Sequence, residues 1–248
     1  MPQLNGLDLK ARYHADRCGG DFFDVAIVGS RVVFLLMDIS GRQAEAHPIA
    51  TEVQNVFRAK SQEIFESSGT NESHGISDLA GCVNRAVIEA AHGVRLAPAF
   101  VGCFNLALGV LTYHNAGLLV VFRDAGGVRI LKTGGISMGL FTHCTYEPAF
   151  LAFEPGARLL LVTKGISLRR RGSAMFGEER IKRLLENSNT DSASEICNTV
   201  LKEAYDFGNH PMSRLYDFVR PGRKRQGDDL TAVVLVRPET QKPAPPPT

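Results

Sequence analysis

No two of the five cysteines (Cys18, Cys82, Cys103, Cys144 and Cys197) stand at Cys-x-x-Cys spacing, and their number is odd. Neither a zinc ribbon nor a disulfide framework is therefore supported, and the thiols read as small buried or free groups of a reducing compartment. Long apolar runs are missing too. The longest, Val32-Val33-Phe34-Leu35-Leu36-Met37, falls far short of the ~18–20 residues of a spanning helix. No basic stretch followed by an apolar run opens the chain, so no signal peptide is read. A soluble, cytoplasmic protein is the expectation. Charge excess is nearly absent: 28 Lys+Arg against 26 Asp+Glu leave a net +2, which argues against a general nucleic-acid or membrane-surface binder. The seven histidines make no His-x-His or His-Glu-x-x-His spacing, so a histidine metal site is not expected. Gly134-Gly135-Ile136-Ser137-Met138-Gly139 lacks the Gly-Lys-Ser/Thr ending of a phosphate-binding loop and reads as a turn between strands.

What is present is alternation, then helical spacing, then alternation again. Leu7, Leu9, Ala11 and Tyr13 alternate with Asp8, Lys10, Arg12 and His14, the period of a half-buried strand. Strands at 21–28 and 31–38 follow, joined by Gly29-Ser30, a hairpin signal. Apolar residues at helical spacing predict a helix over 43–66, with Pro48 tolerable in a first turn, and another over 77–92. Between them, 67–75 reads as a polar connector. From Ala99 to Thr163, short apolar runs punctuated by Gly, Asn and Asp predict antiparallel meanders. Helices resume at 178–187 and 192–207, the latter opened by the capping-box spacing Ser192–Glu195. A basic loop, 220–227, leads into a last strand within 229–238. The fold class is α+β, helices layered on antiparallel sheets. One domain is expected over 1–238, with a proline-rich tail, 239–248, expected to be disordered. The chain begins almost at its first strand, so no sensory module is expected ahead of it. Regulation is then expected from a partner, expression level or metal supply.

Four segments place acidic or polar groups at strand ends beside glycine. They are Gly19-Gly20-Asp21-Phe22-Phe23-Asp24, Met37-Asp38-Ile39-Ser40-Gly41, Val162-Thr163-Lys164-Gly165 and Gly227-Asp228-Asp229-Leu230-Thr231. Any one of them alone is most simply a turn. Together they put carboxylates at the rim of a sheet, where groups about two hundred residues apart in sequence can converge and glycine permits close approach. Hard oxygen ligands of this kind suit Mg2+ or Mn2+, and bridged metals can activate water and clamp a phosphoryl oxygen.

The order and context of these segments resemble the metal-dependent protein phosphatases (PPM, type 2C), in the bacterial SpoIIE-like branch. The resemblance runs from about Leu4 to Pro238 and is carried by LNGLDLKARYHADRCGGDFFDV, LLMDISGRQAEAHPIA, FVGCFNLALGVLTYHNAG, LKTGGISMGLF, FEPGARLLLVTKGIS, FGEERIKRLL and GDDLTAVVLV. It implies a four-layer αββα sandwich, two antiparallel sheets flanked by helices, with the site at one edge. It also implies hydrolysis of phosphoserine or phosphothreonine by a metal-activated water, without a covalent phosphoenzyme. Carried over by position, Asp21 and Asp38 are metal ligands, Asp38 bridging two ions. The carbonyl of Ile39 is a further ligand, Asp228 is the closing aspartate, and Asp229 is a neighbour with a weaker claim. The implied cofactor is Mn2+ or Mg2+. The implied substrate is a regulatory phosphoprotein of the anti-sigma-factor-antagonist kind.

The departure lies at Lys164, where the family's Thr-Asp-Gly motif carries a metal-binding aspartate. An ammonium cannot ligate a cation. Three carboxylates and one ammonium sum to −2, the charge balanced by one divalent ion rather than two. Lys164 is therefore compatible with a single-metal phosphatase, with a metal-free module that binds a phosphoprotein or regulator without turnover, or with a substitution introduced into an active enzyme; a lysine merely pointing to solvent is a fourth reading. Leu118, where histidine is common in the family, is expected to affect packing or a local hydrogen bond. Two basic clusters, Arg169-Arg170-Arg171 and Arg220 with Arg223, Lys224 and Arg225, read either as solvated loops or as grips for a phosphate or an acidic partner.

Overall fold

The computed structural model describes residues 6–15, 20–67, 69–132, 134–209 and 228–239. The basic loop 220–227 and nearly all of the proline-rich tail lie outside the described residues. In chain order the elements are β1 (Asp8–His14), β2 (Asp21–Val28), β3 (Arg31–Asp38), α1 (Gln43–Phe65), α2 (Glu72–Ala91), β4 (Ala99–Asn105), β5 (Val110–Ala116), β6 (Leu119–Asp124), β7 (Gly127–Leu131), β8 (Ala149–Ala152), β9 (Arg158–Val162), α3 (Lys164–Ser167), β10 (Arg170–Arg171), β11 (Ala174–Met175), α4 (Glu178–Glu186), α5 (Ala193–Gly208) and β12 (Leu230–Val236). One antiparallel sheet has the order β2-β3-β4-β5-β8 and the other β1-β12-β9-β6-β7, with β10 and β11 a small separate hairpin.

Three apolar layers glue this into an αββα sandwich. Val32, Phe34 and Leu36 of β3 meet Phe122, Leu159, Leu161, Val233 and Leu235 between the sheets. The alternate residues Val33, Leu35 and Met37 turn to the other side and pack beneath α1 and α2. On the second sheet, Leu160, Val162, Ala232 and Val234 pack under α4 and α5. A strand covered on both faces has no polar side to show, which is why residues 32–37 read as an unbroken apolar run. The four described cysteines are free thiols, two of them buried. Cys197 donates to the carbonyls of Lys10 and Ala232, and burial raises its pKa to about 12, the group being an inert part of the core. No helix among the described residues is long and apolar enough to cross a membrane.

Two details depart from the sequence reading. The second helix begins at Glu72 rather than 77, because the polar string 67–75 contains its cap: the Asn71 side chain accepts from the backbone N–H groups of Ser73 and His74. At the start of α5, Ser192 accepts from the Glu195 N–H, but its own N–H donates to the Thr190 hydroxyl, so Glu195 does not close the box. The short elements α3, β10 and β11 had no periodic signal. Replacing the α2 cap, Asn71→Ala, is expected to cost about 1 kcal/mol. A thermal melt should then fall by ~2–4 °C, while Asn71→Asp stays near wild type. An Ala variant that melts with wild type would show the cap to be dispensable.

Candidate metal centre

The β2–β3 hairpin sets the site. Its two-residue turn at Gly29-Ser30 fixes a register in which Asp21, the first residue of β2, lies opposite Asp38, the last of β3. The other sheet brings the end of β9 and the start of β12 to the same edge. There the Thr163 N–H donates to the Thr231 carbonyl, and the Thr231 N–H donates to the Thr163 hydroxyl. Two glycines let these ends touch. Any Cβ at Gly20 would overlap the Ile39 carbonyl oxygen, and any Cβ at Gly165 would overlap that of Asp229.

The resulting cleft, about 590 Å³, is lined by Gly20, Asp21, Asp38, Ile39, Lys164 and Asp228, among others. Asp21 Oδ2 accepts from the Thr163 hydroxyl at 2.7 Å and from the Thr231 hydroxyl. Asp38 is buried, its N–H tied to the Pro98 carbonyl at 2.9 Å. Lys164 reaches both of its oxygens: the ammonium lies 3.4 Å from Oδ1 and the backbone N–H 3.4 Å from Oδ2. Lys164 therefore faces the site and not merely solvent. Asp229 is buried and its Oδ2 accepts from the Tyr13 hydroxyl at 3.0 Å and the Gly20 N–H at 3.1 Å, whereas Asp228 is exposed at the rim.

Burial, reinforced by the charge of Asp38 and opposed by the two threonine hydroxyls, pushes the Asp21 carboxyl up to about 7. Burial also raises Asp38, and the Lys164 ammonium pulls it back. Two opposed carboxyls in a low-dielectric edge repel each other, and a cation between them would relieve that repulsion. The oxygen donors of the cleft suit a hard divalent ion of the Mg2+ or Mn2+ type. Among the described residues no three His, Cys, Asp or Glu side chains converge to hold an ion by themselves. Mg2+ keeps several waters and is held by one or two carboxylates, which is the number the opposed pair Asp21 and Asp38 supplies.

The family model for stage II sporulation protein E matches residues 29–238. The chain belongs to the SpoIIE family. It is similar to protein IcfG of Synechocystis sp., 24% identical over 226 aligned positions, an alignment that covers 82% of this chain but only 36% of that relative. Among solved structures, the RsbU and RsbW domains of a Mycobacterium tuberculosis protein superpose with a TM-score of 0.72 at 18% identity, over 96% of this chain and 63% of that one. The catalytic domain of the serine/threonine protein phosphatase PstP, in complex with two manganese ions, gives a TM-score of 0.60 at 15% identity, over 93% and 98%. These likenesses show the fold.

Thr163, Thr231 and Tyr13, which orient the carboxylates, carried no sequence signal as partners. Arg42 and Glu45, at the start of α1, also line the cleft and were not singled out. Of the basic clusters, Arg171 stacks on the Phe207 ring, 4.7 Å from its centroid. Leu118 is buried between the sheets, with its N–H and carbonyl both bound by the Asn115 amide. Gly135-Ile136-Ser137-Met138-Gly139 has the spelling of a nucleophile elbow, but it forms no strand-to-helix turn: Met138 is bridged to Ala97 in a loop.

Because the folded Asp21 carboxyl titrates near 7 against an ordinary 3.8, the folded chain keeps a proton that the unfolded chain has lost between those values. Stability therefore falls as pH rises through that window. In chelator-treated protein, Asp21→Asn is expected to raise the melting temperature near pH 8 by on the order of 5 °C, and to change little near pH 4. Calorimetry at the two pH values checks this, and a loss of stability at the higher pH would contradict it.

Proposed function

We propose that this chain is a metal-dependent protein phosphatase that removes phosphate from phosphoserine or phosphothreonine of a regulatory phosphoprotein. The observation that carries the reading is the cross-strand pair Asp21 and Asp38, which shares one cleft with Ile39 and Asp228. In this reading Asp21, Asp38, Asp228 and the Ile39 carbonyl hold Mn2+ or Mg2+. The bound metal supplies an activated water and positive charge against the phosphoryl oxygens. The chain's own residues orient and exclude. Thr163 and Thr231 fix the rotamer of Asp21, and the Pro98 carbonyl fixes the backbone of Asp38. The Arg42 side chain, lining the same cleft, offers a fork of N–H donors suited to a phosphoryl group.

The substrate class follows the resemblance to the SpoIIE-like branch: small regulators of the anti-sigma-factor-antagonist kind, met in the cytoplasm. The domain is taken to span 1–238. A second reading, a phosphoprotein-binding module without turnover, is favoured by one observation, the ammonium of Lys164 paired with Asp38.

Hydrolysis of a phosphoserine peptide with and without Mn2+ tests the first reading. Turnover is expected only with metal, and Asp38→Asn should lower it by more than the ~10–100-fold that even outer partners of metal sites carry. A chain silent with metal, accompanied by an active Lys164→Asp variant, would replace the enzyme reading with the binding module.

A further inference from the structure

The fold sets the backbone position of Lys164 at the edge of the cleft. The lysine opens α3 immediately after β9, and the next residue, Gly165, is seated against the Asp229 carbonyl so closely that no side chain fits there. From this position it addresses both oxygens of Asp38, through the ammonium and through the backbone N–H. The lysine side chain is 36% exposed and the aspartate only 7%, so the charge reaches inward from the rim to a carboxylate that has little water of its own.

Two consequences follow for cations. The first concerns ligands. Asp38 Oδ1 is engaged by the ammonium, and Asp21 Oδ2 by two threonine hydroxyls. What remains toward the cleft is Oδ1 of Asp21, Oδ2 of Asp38 beyond its long contact with the Lys164 N–H, the Ile39 carbonyl and the exposed Asp228, a set that suffices for one hydrated ion. The second concerns charge. Asp21, Asp38 and Asp228 with Lys164 sum to −2 when all are ionised, and an ammonium beside Asp38 repels any second dication drawn to the same carboxylate.

We infer that this site takes a single divalent ion, the ammonium of Lys164 standing permanently in the place of a second. The inference rests on the metal-dependent reading given above. It sets this chain apart from the manganese phosphatase it resembles in fold, which holds two ions. A lysine in that position offers an anionic ligand a charge-assisted hydrogen bond in place of a Lewis acid.

Equilibrium dialysis with Mn2+ and electron paramagnetic resonance on the intact chain, without substrate, test it. One ion per chain is expected, with the resolved hyperfine pattern of an isolated Mn2+. Lys164→Asp is expected to bind two, with the broadened spectrum of a coupled pair. Two coupled ions in the wild-type chain, or none, overturn the inference, as does a folded Lys164→Asp variant that stays at one. The wild-type measurement decides even where the variant does not fold. Failure of the phosphatase reading looks different: one bound ion with no turnover would leave the ion count standing and remove the enzyme.

Discussion

The register of the β2–β3 hairpin is the constraint on which the site depends. Side chains alternate along a strand, so a slip of one residue would send Asp21 or Asp38 to the opposite face. Hydrophobic pattern alone does not prevent that slip, because β3 is apolar on both sides. The lock comes from elsewhere. The two-residue turn at Gly29-Ser30 leaves no slack, with Gly29 at a positive φ of 58°. Phe34 lies opposite Gly102 on β4, and a Cβ on Gly102 would come within 2.7 Å of the Phe34 ring, so the ring occupies the space that only glycine leaves. Polar pins act on the same hairpin: Asp24 meets Arg58 of α1 at 2.7 Å and Arg31 meets Glu72 of α2 at 2.9 Å. A core that would tolerate several registers is thus held in the one that opposes two aspartates.

The edge of the sandwich is then sewn across the two sheets by side chains. Asp21 belongs to one sheet, and its hydroxyl donors sit at strand ends of the other. Asp229 precedes β12, and its carboxylate receives Tyr13 from β1 and the N–H of Gly20 at the foot of β2. These hydrogen bonds to the two carboxyls lie where the ladder of backbone bonds runs out. The same contacts that align the carboxylates therefore hold the sheets together at the mouth of the cleft. Orientation of the site and closure of the sandwich edge are one structural task.

Much of this was legible in the sequence, for identifiable reasons. The hairpin 21–28 and 31–38 was read with its observed bounds because a short turn leaves one solution. The four strand-end segments were read as converging because their order matched a known family, and Lys164 stood out as the residue that did not fit. What escaped was either too short or too distant. α3 has four residues, β10 and β11 two each, and no periodicity shows over such lengths. Thr163 and Thr231 lie 142 and 210 residues from Asp21, and Tyr13 lies 216 from Asp229, separations at which no local pattern speaks. Asp228 and Asp229 are adjacent in sequence, yet neighbours at a strand start point opposite ways. Only coordinates tell that one is exposed at the cleft and the other buried under Tyr13.

Lys164 makes physical sense as a counter-ion before it is considered as a lesion. A buried carboxylate needs a cation or several donors, and lacking both it holds a proton instead. Burial raises both aspartates: for Asp38 the ammonium beside it opposes the rise, while Asp21, with hydroxyls only, rises to about 7. The ion pair is half open to water on the lysine side, so screening keeps its contribution to stability small, and its main effect is on the charge state of Asp38. Such a cation is independent of metal supply and cannot be washed away by a chelator. It opposes the rise that burial imposes on the Asp38 carboxyl whether or not a divalent ion is bound. The sandwich itself does not depend on this residue, since Lys164 packs into none of the three apolar layers, and a change of side chain at this rim position leaves the fold that presents it intact.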